Sequence, residues 1–102
     1  MGTGRAFPTF YSPTGFQKLT VSDTVVGFTI PTTVQCRAVI FSVETDQIRF
    51  KVDGNDPTTT DGLLLNSGDV VELTNVTMIT NFKAHRVTTD ATIQIHYFGG
   101  GV

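Results

Sequence analysis

The sequence predicts an all-β protein, an antiparallel sandwich or small barrel of about eight short strands. Three observations carry that expectation. Runs in which apolar and polar residues alternate recur along the chain, as in "IRFKV" and "ATIQIHYF". Turn signals rich in Gly, Asn, Asp and Pro separate them at roughly 8–12-residue spacing. No segment sustains a 3.6-residue apolar period, and no internal repeat is present. At 102 residues the chain is one domain, and a chain of this size buries roughly two-thirds of its unfolded surface.

Residues 1–15 differ from the rest. Gly2, Gly4, Pro8, Pro13 and Gly15 interleave with Phe7, Phe10 and Tyr11. The glycines and prolines argue against a helix or a central strand, yet disordered tails are poor in aromatics. An extended arm that lays its aromatics on another surface satisfies both facts. That surface is either the chain's own domain or a neighbouring subunit. The domain proper is expected over 16–102.

The strands follow in order. "FQKLTV" places Leu19 and Val21 on one face, and "VVGFTI" places Val26, Phe28 and Ile30 on one face. "CRAVIFSV" is apolar on both faces, which predicts a central strand between two covering layers. "IRFKV" turns Ile48, Phe50 and Val52 inward and Arg49 and Lys51 outward. "GLLLNSGDVVEL" reads as two short strands around a turn at 66–69. "MITNFKAHRV" reads as a strand with two open registers: Phe82 and Ala84 inward with His85 outward, or the reverse. "ATIQIHYF" closes the domain with Ile93, Ile95 and Tyr97 inward and Gln94 and His96 outward. "GGGV" reads as a flexible exit.

Composition narrows the function. The net charge is −2 and charged residues are 16% of the chain, below the usual ~25%. No basic block is present, so no nucleic-acid partner is expected. Polar surface falls instead to 18 threonines, β-branched residues suited to the solvent face of a strand or to a contact surface. The N-terminal stretch lacks the apolar run of a signal peptide, and no stretch approaches the ~18 apolar residues of a membrane span. The expected site of synthesis is a cytoplasm, with no membrane partner. The single cysteine, Cys36, allows no intramolecular disulfide and reads as a buried, inert thiol rather than a reactive one.

Three groups invite a chemical reading. The loop "DGNDPTTTDG" holds Asp53, Asn55, Asp56 and Asp61. Counted from Asp53 as an EF-hand loop, Pro57 falls at position 5, Thr58 at 6 and Leu64 at 12, so the ligand pattern fails. A different calcium site from the same oxygens stays open beside the plainer reading, in which Asp-Gly and Asp-Pro make turns. His85 and His96 on neighbouring strands would suggest a cupin-like metal site, but a third ligand is missing from the pattern, and packing or surface roles account for both. No nucleophile elbow, phosphate loop or Cys–His pair is present, and solvated loop acids do not make a catalytic pair. The expectation is a non-enzyme with no cofactor and no metal. With no tryptophan, any glycan platform would fall to Tyr11, Tyr97 and Phe98.

The stretch from "LTVSDTVVGFTIP" through "IRFKVDGNDPTTTDGLLLNSGDVVEL" to "FKAHRVTTDATIQIHYFGG" resembles a family of small tailed-bacteriophage structural proteins. The likeness covers residues 16–100 and lies in the order of its motifs: a threonine-rich "LT…VGFTIP" segment, an apolar strand, an "R-F-x-x-D-G-x-x-P-T" loop, a "G-x-x-L-x-x-G-D" element and a closing strand. It implies a virion component with a jelly-roll-like β-sandwich: a capsid decoration or cement protein, or the base of a head fiber, at the capsid surface. The implied partners are a major capsid protein and further copies of the chain, as a homo-oligomer and most simply a trimer. The arm residues Arg5, Phe7, Phe10 and Tyr11 are the expected capsid or subunit contact. The alternative is a tail or fiber module that binds host-surface glycan.

Overall fold

The computed structural model describes residues 12–30 and 36–99. Seven strands and one short helix appear among them, in two antiparallel sheets. The all-β expectation holds at that level. One sheet has four strands in the order β1 (Ser12–Val21), β7 (Ala91–Gly99), β2 (Cys36–Glu44) and β5 (Val70–Leu73). The other has three, in the order β4 (Leu63–Leu65), β3 (Ile48–Lys51) and β6 (Lys83–Arg86). A helix, α1 (Val76–Asn81), links β5 to β6.

The inward faces of both sheets meet in one core. Val39, Phe41 and Val43 of β2 lie beside Tyr97, Ile95 and Ile93 of β7, partner to partner. All six are buried, as are Ile48, Phe50 and Ala84 of the other sheet. The period-two reading of "IRFKV" and "ATIQIHYF" is therefore correct, and burial of Phe82 and Ala84 selects the first of the two registers offered for that segment. An aromatic cluster binds the layers. Phe82 stacks on Phe28 with centroids 4.0 Å apart and planes 6° apart, and meets Phe41 at 5.2 Å and Phe50 at 5.7 Å.

Four local expectations are corrected. Residues 25–30 do not form a strand; Val26 and Ala84 exchange two backbone hydrogen bonds as an isolated bridge. The amide of Thr29 is taken by the Gln17 side chain, so no ladder continues. Val26, Phe28 and Ile30 nevertheless all pack against the core, as their spacing implied. Residues 78–81 are helical, not extended. Asn75 caps the helix by accepting from the Met78 amide at 3.1 Å, and at six residues the helix is too short to display a period. The arm was expected through residue 15, but β1 begins at Ser12. Pro13 and Gly15 are tolerated because β1 is an edge strand with a bulge between them. Finally, β2 is central in its sheet as expected, but its outer side is covered only in part: Ala38 is buried there beside Phe98, while Ile40 and Ser42 are half-buried and Glu44 is exposed.

The turn at 66–69 has strands on both sides, as expected, but β4 pairs with β3 and β5 with β2. The turn is stitched to the end of β2: Gly68 N donates to Val43 O at 2.7 Å, and Val43 N to Asp69 O at 2.9 Å. The chain thus changes sheets there.

Candidate functional site

The 53–62 loop folds back onto the outer side of the three-stranded sheet. Lys51 and Lys83 stand opposite each other across β3 and β6, a like-charge pair that is unfavourable by itself. The loop supplies a carboxylate to each: Lys51 Nζ lies 2.9 Å from Asp61, and Lys83 Nζ 3.1 Å from Asp56. Lys83 also donates to Gly54 O at 3.1 Å. Arg49, two residues before Lys51 on the same face of β3, donates to Thr59 O at 3.1 Å and to Gly62 O at 3.0 Å. Asp53 makes an Asx turn, accepting from the Asn55 amide and side chain, both at 3.0 Å. Pro57 is fully buried beneath the loop.

Each of the three carboxylates therefore has a donor within the chain. The Asn55 amide holds Asp53 below the ordinary carboxylate value, with the Asn55 side chain adding to it. The hydrogen bond from Lys51 to Asp61 pushes the Lys51 ammonium up. Asp53, lowered rather than raised, is not poised as a general acid. The loop is a rigid polar cover on one sheet. The sequence turned Arg49 and Lys51 outward, as they are; the signal that they clamp the loop was two outward cations directly before three loop aspartates.

The histidines do not meet. His85 sits on the three-stranded sheet, where its Nδ1–H donates to Arg86 O at 2.6 Å. His96 sits on the four-stranded sheet beside Phe16, with ring centroids 5.0 Å apart. Both face outward from different sheets, so the notion that they approach on neighbouring strands is corrected. Among the described residues no three His, Cys, Asp or Glu side chains cluster as metal ligands. Cys36 is buried, and burial pushes its thiol up. Tyr97 and Phe98 are buried as well. Burial pushes the Tyr97 phenol up to about 12, and its hydroxyl donates to Gln17 Oε1. Neither ring offers a sugar platform. Arg5, Phe7, Phe10 and Tyr11 lie outside the described residues.

Shallow concavities lie among the described residues. One, of about 400 Å³, opens beside β3 and is lined by Phe50, Val52, Asp53, Asp61 and Leu63. Another, of about 300 Å³, lies on the outer side of the four-stranded sheet between Phe16, Ile40, Val70 and His96. Compared with known proteins, the chain matches no family model, no curated protein and no solved structure.

Proposed function

We propose that this chain is a non-enzymatic structural component of a tailed-bacteriophage virion, a decoration or cement protein seated on the assembled capsid or the base of a head fiber. The observation that carries the reading is the motif order over residues 16–100, together with an architecture in which the loop acids are bonded to the protein's own side chains. The fold proposed with it is a jelly roll. The order β1-β7-β2-β5 opposite β4-β3-β6 fits the two halves of that topology once residues 25–30, bridged to β6 at Val26, take the place of the eighth strand. A cement protein gains avidity by seating many copies on a symmetric lattice, so modest contacts suffice for each copy.

The partners proposed are the major capsid protein and further copies of this chain, assembled as a trimer, with Arg5, Phe7, Phe10 and Tyr11 as anchors. Replacing Phe7, Phe10 and Tyr11 by alanine in the full chain tests this. Binding to purified shells is expected to be lost while the far-UV circular dichroism is unchanged; undiminished binding would sink the proposal. The competing reading is a glycan-binding tail module using the 400 Å³ concavity beside Asp53 and Asp61. A glycan array separates the two, since capsid decoration predicts no hits.

A further inference from the structure

The two sheets differ on their outer sides. The three-stranded sheet is covered over β3 and β6 by its own loop, held by Arg49, Lys51 and Lys83, and exposes Leu63 and Leu64 on its β4 edge. The four-stranded sheet presents Phe16 at 54% exposure and Val70 at 65% exposure, with the half-buried Ile40 and the exposed His96 between them. "CRAVIFSV" has the composition of a strand covered on both sides; a single copy covers its outer side at the Ala38 end, where Ala38 and Phe98 are buried, and leaves Ile40 half-buried. Large apolar side chains grouped on one sheet face mark a contact surface more than solvent-facing decoration.

The charges on this face say what fits it. Among the described residues, every charged side chain has an interaction partner except two, Lys18 and Glu72. Both are exposed. Lys18 lies on β1, two residues from Phe16; Glu72 lies on β5, two residues from Val70. Register places both on the outer side, beside Gln94 and Ile40 respectively. β1 and β5 are the two edges of the sheet. The face therefore has an apolar residue and an unpaired cation at one edge, and an apolar residue and an unpaired anion at the other. Such a surface is complementary to itself.

We propose that the outer face of the four-stranded sheet is the contact between copies of this chain, with the β1 edge of one copy set against the β5 edge of the next. Phe16 and Val70 meet across the contact, and Lys18 pairs with Glu72 of the neighbouring copy. Because the two edges differ, the contact sets unlike edges against each other, so each apolar residue and each charge of one copy finds its complement on the other. The apolar residues supply the affinity, and the charge pair selects the partner edge and its register. This rests on the self-association part of the reading above and assigns it a surface.

The test is the mass of the purified full chain in solution, by light scattering and sedimentation, for the parent and four variants. The parent is expected to be a multimer. Lys18→Glu and Glu72→Lys each weaken association roughly three- to tenfold; the double charge swap restores it. Val70→Asp, at an exposed site, abolishes it without unfolding the chain. A parent that is a monomer at about 1 mM, single reversals without effect, or a double swap that fails to restore association would overturn the proposal. Shell binding is measured separately on the same samples. A multimer that responds to the charge swap but ignores shells refutes the capsid reading alone. A shell-binding monomer refutes the self-contact alone.

Discussion

Phe82 is the residue on which the two-layer packing most depends, and its removal gives a measurable test. It is 1% exposed and touches Phe28, Phe41 and Phe50, which come from the 25–30 segment, the four-stranded sheet and the three-stranded sheet. Truncating a buried phenylalanine to alanine costs about 3–5 kcal/mol. Small domains are stable by about 5–15 kcal/mol, so Phe82→Ala removes a large share. With about 4–8 °C per kcal/mol for a domain near this size, the melting temperature falls by about 12–40 °C. Phe82→Leu keeps most of the volume and is expected to cost about 1–2 kcal/mol. The 6° stack with Phe28 adds a specific claim: a double-mutant cycle of Phe82→Leu with Phe28→Leu yields about 0.5–1.5 kcal/mol of coupling. Urea titration followed by far-UV circular dichroism suits a chain that has no tryptophan. A loss below about 1 kcal/mol for Phe82→Ala, or no coupling with Phe28, would refute this account of the core.

Other expectations follow from local geometry. Gly62 has φ 133°, and a Cβ there would lie 3.1 Å from Phe50 O and 3.2 Å from Pro57 Cβ, whereas Gly68 at φ 99° faces open space; thermal melts should rank Gly62→Ala as clearly more damaging, by about 1–3 kcal/mol. Thr45 is a β-branched residue at φ 82°, the centre of a tight turn closed by Asp46 N to Glu44 O at 3.0 Å, so Thr45→Gly is expected to raise stability by about 1 kcal/mol through relief of strain. Asn55→Ala removes the side-chain donor to Asp53 and is expected to raise that carboxyl toward its ordinary 3.8, read by NMR titration. Because the folded value is depressed, the stability from Asp53 is present above 3.8 and lost as pH falls through the folded value. The parent and Asn55→Ala should therefore converge in stability in acid and differ at neutral pH.

Alternation made much of the core legible in advance. A strand turns every second side chain to the same face, so Ile48 and Phe50, and Ile93, Ile95 and Tyr97, were assignable as inward before any partner was known. The same spacing put Val26, Phe28 and Ile30 on the core even though the segment never became a ladder, because burial follows side-chain direction and not backbone pairing. The helix at 76–81 was illegible for the opposite reason. Fewer than two turns cannot establish a period, and Val76, Thr77 and Ile79 are β-branched residues that favour strands.

The sequence by itself determined the all-β class, the inward faces and the turn chemistry of the aspartate loop, since each depends on residues near one another in the chain. Only the tertiary structure decided that β4 and β5 belong to different sheets, because a turn reverses the chain without choosing which edge it joins. Tertiary structure also brought Lys51 opposite Lys83 and so gave Asp56 and Asp61 their work. And it left Lys18 and Glu72 alone at opposite edges of one apolar face, an arrangement of residues 54 positions apart that no local pattern encodes.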